Sequence, residues 1–143
     1  MSKPIQLSEH FSSDEFACRH CGQFHVDQRL ISALEQLRAK VGPIHITSGY
    51  RCPDHNKAIG GAPKSEHVLG RAADIVATRF NLLRLLAEVE LVEAFRTSGI
   101  GLYPDEGFIH VDVGRPKPAR WGRLKGKGYV TLQEALKHVI SKK

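Results

Sequence analysis

The sequence predicts an α+β fold, a small antiparallel sheet with flanking helices, and three observations predict it. Leu30, Ile31, Leu34, Leu37 and Val41, and again Leu82, Leu85, Leu86, Val89 and Val92, recur at helical spacing. Ile44-His45-Ile46-Thr47-Ser48 alternates apolar and polar residues as a half-buried strand does. Residues 99–103 and 108–113 flank Pro104-Asp105-Glu106-Gly107, a turn that makes the pair a β-hairpin. No repeat or linker divides the 143 residues, a length that suits one core better than two.

Taken in order, Ser12 caps a single turn through Asp14 and Glu15 to the apolar anchor Phe16. Asp27 caps the first long helix, and Gly42-Pro43 stops it. His45 lies between Ile44 and Ile46 and so faces away from them, as a surface or edge histidine. Pro53 to Ala58 forms a short helix with proline in its first turn. Gly60-Gly61-Ala62-Pro63 is a loop that delivers Ser65 and His67. Residues 70–77 form a second strand whose small side chains permit close approach. A second long helix spans 81–95, a basic loop containing Trp121 follows the hairpin, and Thr131 caps a final helix, 132–140. The expectation is a single domain over 1–143, its core about 8–121, with a C-terminal basic loop and helix at 122–143.

Apolar residues make up 41% of the chain and charged residues 25%, which fits a folded protein and not a disordered one. No run approaches the ~20 apolar residues of a membrane span, so no membrane insertion is expected. The N-terminus has no apolar signal core, so synthesis in the cytoplasm is expected. The net charge of +6 favours polyanions: nucleic acid, anionic lipid or a phosphate-rich cell wall. The charge clusters at 115–127 and 137–143 without any recognition helix, zinc finger or RNA-binding signature, so no specific nucleic acid is expected. Three cysteines, an odd count, argue against a disulfide framework. Cys18 and Cys21 have C-x-x-C spacing that Cys52, His20 or His25 could complete as a metal site; the plainer reading is free thiols closing a turn.

Chemistry concentrates in Ser65-Glu66-His67-Val68-Leu69-Gly70-Arg71-Ala72-Ala73-Asp74. Imidazole and carboxylate are both ligands for a borderline divalent metal, and a site needs a third. The best candidate is His110, which gives His67, Asp74 and His110 with one position open. Asp74 stands among small and apolar residues, where an unpaired carboxylate costs several kcal/mol unless its charge is offset.

This motif, with Thr47-Ser48-Gly49-Tyr50-Arg51 ahead of it and Gly99-Ile100-Gly101-x-Tyr103 and Phe108-Ile109-His110-Val111-Asp112 behind, resembles the M15 zinc peptidases. These are D-alanyl-D-alanine carboxypeptidases and murein endopeptidases, and the likeness is to the branch found in phage lysis or tail proteins and in some periplasmic murein endopeptidases. The resemblance implies a Hedgehog/DD-peptidase-like fold and one zinc ion on His67, Asp74 and His110. It also implies a substrate-gripping role for Arg51, with Ser65, Tyr50 and Tyr103 supporting the ligands or contacting substrate. Several members carry a general-base glutamate three residues before the last histidine, or a histidine two before it; here those positions are Gly107 and Phe108. The base then falls to Asp112, on the strand face of His110, or to Glu106 in the turn; Asp112 could instead orient a ligand histidine. The implied function is zinc-dependent hydrolysis of an amide bond in murein stem peptides or cross-links, as carboxypeptidase or endopeptidase. The alternative is a zinc-stabilised wall-binding or virion module with little or no hydrolysis. Peptidoglycan is the expected partner and a monomer the expected state. The wall would be reached by lysis-associated release or as part of a phage particle.

Overall fold

The structure, a computed structural model, describes residues 4–62 and 64–141. Pro63 in the glycine-rich loop, Lys142 and Lys143 at the end of the basic cluster, and Met1–Lys3 lie outside the described residues. The order is α1 (Ser13–Phe16), α2 (Gln28–Val41), β1 (Ile44–Ser48), α3 (Pro53–Ala58), β2 (Ala72–Ala77), α4 (Leu82–Val89), α5 (Glu93–Arg96), β3 (Gly99–Tyr103), β4 (Phe108–Asp112), β5 (Ala119–Leu124), β6 (Gly128–Val130) and α6 (Leu132–Ser141). The strands form one six-stranded sheet in the order β1-β2-β4-β3-β5-β6. Neighbours run antiparallel except β3 and β5, which are parallel.

Strand periodicity divides the sheet into two chemically distinct faces. Ile44, Ile46, Ala73, Ile75, Ile100, Leu102, Ile109 and Val111 enter the core with Leu34, Leu37, Leu85, Val89 and Phe95 of the helices. Each of these side chains larger than alanine, fully buried, contributes about 1.5–3 kcal/mol of transfer free energy. The alternate positions, Asp74, His110 and Asp112, are buried too, but on the opposite face.

Local signals explain the helix ends. Asp27 accepts a hydrogen bond from the Arg29 amide, and Asn81 accepts one from the Arg84 amide. Ser12 and Glu15 form a reciprocal capping box on α1. His45 is exposed on the edge strand, as its place between two core isoleucines requires.

Two expectations are corrected. The helix expected over 81–95 breaks at 90–92: Leu91 and Val92 donate to carbonyls three residues back, and Val92 turns extended. The break lets Val92 and Phe95 both reach the core while Leu91 stays exposed. The basic stretch around Trp121 is not a loop. It forms β5 and β6, in which Gly122 and Leu124 are buried while Arg123 faces outward.

Candidate metal centre

Two neighbouring strands set the core of the site. Asp74 on β2 is directly opposite His110 on β4, and their side chains project from the same face. His67 arrives from the turn between α3 and β2. That turn is closed by backbone bonds from Val68 to Ser65, Gly70 to His67 and Arg71 to Glu66, and the Ser65 hydroxyl accepts from the His67 amide. Gly70 holds φ +73°, and a Cβ there would run into the His25 carbonyl, so only glycine fits. His67, Asp74 and His110 each bring a donor atom within 4.8 Å of the other two.

The donor set fits a borderline divalent ion. His67 Nδ1 donates to the Gly49 carbonyl at 2.7 Å, which leaves Nε2 facing Asp74 Oδ1 at 3.2 Å. His110 is arranged the other way: Nε2 donates to Asp112 Oδ2 at 2.7 Å and Nδ1 faces the same Asp74 oxygen at 3.1 Å. Each imidazole is thus oriented by an acceptor on its far side, as metal-ligating histidines are. Burial works against the charge of Asp74, but His67 and His110 beside it hold its carboxyl well below the usual range. Burial pushes His67 down. It also opposes the charge of His110, yet the hydrogen bonds to Asp112 and Asp74 prevail and draw that group up to about 9.

Asp112 has no exposed surface. It accepts from the Ser98 hydroxyl, the Gly99 amide and the Arg115 guanidinium, whose Nε lies 3.0 Å from both carboxylate oxygens. Burial disfavours its charge, and the His110 and Arg115 contacts hold its carboxyl well below the usual range.

His67, Asp74 and His110 line an open cavity of about 710 Å³. Arg51 borders it, with Nη2 3.4 Å from Asp74 Oδ2 and Nη1 3.4 Å from Asn56 Oδ1. Tyr103 stacks on Phe108 with centroids 4.5 Å apart and accepts a hydrogen bond from Trp121 Nε1 at 3.0 Å. Glu106 lies exposed on the rim. Tyr50 is not brought to the cavity: its buried ring meets His25 edge-on at 4.8 Å.

Trp121, Arg115, Ser98 and the Gly49 carbonyl complete the arrangement; the sequence marks 115–121 as a pocket-shaping stretch but assigns none of these four a contact with the site. The Trp121 ring lies 5.0 Å from that of His110, and the Arg115 guanidinium sits 5.2 Å above Trp121. Gly101 makes room, because a Cβ there would come within 2.6 Å of the indole. The alternation of Trp121 and Arg123 with Gly122 and Leu124 was the available signal, masked by charge and glycine.

The Peptidase M15 family profile matches residues 9–112, which contain His67, Asp74 and His110. The chain belongs to the M15 peptidase family. Among similar proteins is the peptidoglycan L,D-endopeptidase MepK of Escherichia coli strain K12, 32% identical over 103 residues. That alignment covers 66% of this chain and 53% of MepK. The probable peptidoglycan L,D-endopeptidase MepK of Haemophilus influenzae is 28% identical over 106 residues, covering 67% of this chain and 55% of the relative. The chain spans about half the length of these curated relatives. Among the described residues no helix is long and apolar enough to cross a membrane.

Proposed function

We propose that this M15 peptidase is a zinc-dependent peptidoglycan endopeptidase, hydrolysing an amide bond in murein stem peptides or cross-links. The observation that carries the reading is the His67–Asp74–His110 set, oriented from behind and open to a cavity in front. The L,D bond type rests on the names of the MepK relatives.

Zinc held by these three residues supplies carbonyl polarisation and lowers the pKa of water to about 7. The chain's own groups do the rest. Asp112 fixes the tautomer and rotation of His110 and serves no base role, because its oxygens are fully engaged. Arg51 offers donors to a substrate carboxylate or to negative charge developing on the carbonyl oxygen. Tyr103 and Trp121 wall the cavity beside His110. Among the described residues the carboxylates on the cavity are Asp74, Glu66 and Glu106; Glu66 faces Arg71 at 3.3 Å, which leaves the base role to Glu106.

Glu106 stands on the rim and not against the ligands, and this favours a second reading: a metal-stabilised wall-binding module that cuts little or not at all. One experiment separates the two. Purified sacculi are incubated with zinc-loaded protein, with chelated protein and with His67→Ala, and released muropeptides are identified by mass. Zinc-dependent release with newly exposed L,D ends is expected. Binding to sacculi without any release, at full zinc occupancy, would leave only the module reading.

A further inference from the structure

On another part of the surface, the loop after α1 and the start of α3 bring three thiols together. Cys18, Cys21 and Cys52 each place Sγ within 4.8 Å of the other two, and all three are free. The first two sit on a tight turn, closed by Gly22 N–H to the Cys18 carbonyl at 2.9 Å and Cys18 N–H to the Gln23 carbonyl at 2.7 Å. Cys52 is the residue from which α3 begins. Backbone amides point at sulfur: those of His20 and Cys52 lie 3.4 Å from Cys18 Sγ, and that of His55 lies 3.4 Å from Cys52 Sγ. Amides aimed at sulfur orient a thiolate and spread its charge, as outer-shell donors do around a ligated metal.

A fourth donor stands beside Cys52, outside the mutual 4.8 Å spacing that the three sulfurs share. His20 Nδ1 is 3.5 Å from Cys52 Sγ, and its ring stacks on His55 with centroids 5.9 Å apart. Tetrahedral zinc, with sulfur at about 2.3 Å and nitrogen at about 2.0–2.1 Å, sets S···N edges of about 3.5 Å and S···S edges of about 3.8 Å. Among the described residues no carboxylate joins this cluster, and thiolate donors select zinc-class ions over magnesium or calcium.

We propose that Cys18, Cys21, Cys52 and His20 form a second metal site, a closed Cys3His centre that holds a structural zinc ion. With four protein ligands it has no open position and takes no substrate. It acts as a brace. The segment 49–52 supplies the carbonyl that orients His67, the Arg51 side chain beside Asp74, and the ligand Cys52. The Tyr50 amide already bonds the Phe16 carbonyl at 2.8 Å, and the metal would tie the same two segments once more. The inference does not depend on peptidase activity.

The full chain bearing His67→Ala and His110→Ala, purified in reductant, isolates this centre. It is expected to keep one zinc per chain by elemental analysis, where the unsubstituted chain keeps two. Replacing that zinc with cobalt should give the intense near-ultraviolet charge-transfer band of cobalt–thiolate bonds and the visible bands of tetrahedral geometry. All three thiols should resist alkylation until a chelator is added. Adding Cys21→Ser, at the exposed thiol, should weaken zinc binding at least 100-fold. If that variant fails to fold, the cobalt spectrum of the His67→Ala, His110→Ala chain decides alone. A folded protein without the thiolate band, whose thiols alkylate equally fast with and without zinc, overturns the proposal. So does a disulfide among these cysteines that, once reduced, yields thiols unable to take up zinc or cobalt.

Discussion

At Asp112 two roles compete for one carboxylate. A general base needs a lone pair free toward substrate, whereas an orienting carboxylate spends its lone pairs inward. With no exposed surface, and with bonds to His110, Ser98, Gly99 and Arg115, Asp112 has the second pattern. Asp112→Asn is therefore expected to lower zinc affinity about 10–100-fold, and activity with it. A base at this position would instead lower turnover at unchanged zinc affinity, so metal titration beside kinetics discriminates. Glu106→Gln is expected to do the reverse, keeping zinc and lowering turnover about 10²–10⁴-fold. Protonation of the same cluster sets a pH window in chelator. His110, drawn from 6.5 up to about 9, contributes stability that is complete below the lower value and is lost as pH rises through the upper one. Asp74 and Asp112, held below their ordinary 3.8, contribute stability present above that value and lost as pH falls through their depressed folded values. The melting temperature of chelated protein should fall between about pH 6.5 and pH 9, and bound zinc should reduce that fall. A flat profile over this range in chelator would contradict the pairing of His110 with the two aspartates.

Among the elements, the turn bearing His67 is the most exacting. Gly70→Ala combines a strained φ of +73° with a collision against the His25 carbonyl. It is expected to cost about 1–3 kcal/mol and to weaken zinc binding, because the turn cannot shift without moving His67. Calorimetry with a zinc titration checks both effects; a loss of stability at unchanged zinc affinity would separate the turn from the ligand it carries. This element was legible in sequence, since two glycines and a capping serine bracket the histidine. So were α2 with its Asp27 cap, the hairpin of β3 and β4, and α3 with its early proline. Strand β5 was not. Its inward positions are Gly122 and Leu124, and Gly122 packs so closely against Ala135 of α6 that no side chain fits. An apolar period built partly on glycine leaves no hydrophobic trace, so Trp121 read as part of a loop. The break in the helix after Val89 was hidden for the opposite reason: the apolar stripe continues in phase across it, through Val92 and Phe95.

For the whole molecule, the two faces of one sheet divide the work. Helices α2, α4 and α5 cover one face with apolar side chains, so the other can bury His110, Asp74 and Asp112 without being asked to supply hydrophobic stability. The excess charge of +6 was legible from composition, but its relation to the site was not, because it depends on which loops meet. Arg51, Lys64, Arg115 and Arg123 converge on the cavity against the acids Asp74, Glu66 and Glu106. Arg115 is engaged with buried Asp112, and Arg51 lies beside Asp74, so these two are fixed in place and shielded from salt. Lys64 and Arg123 are exposed, as is much of the remaining excess charge, and any pull they exert on the proposed wall substrate is the long-range, screenable part. Raising ionic strength from about 0.1 M to about 1 M shortens the screening length from about 10 Å to about 3 Å. Attachment to sacculi should therefore weaken steeply over that range, while cleavage of a small soluble muropeptide, which depends on contacts inside the cavity, should change little. Sedimentation with sacculi and turnover of the soluble substrate, measured across the same salt series, test the division. An equal decline of both would overturn the division, because the screenable charges would then also hold the small substrate in the cavity.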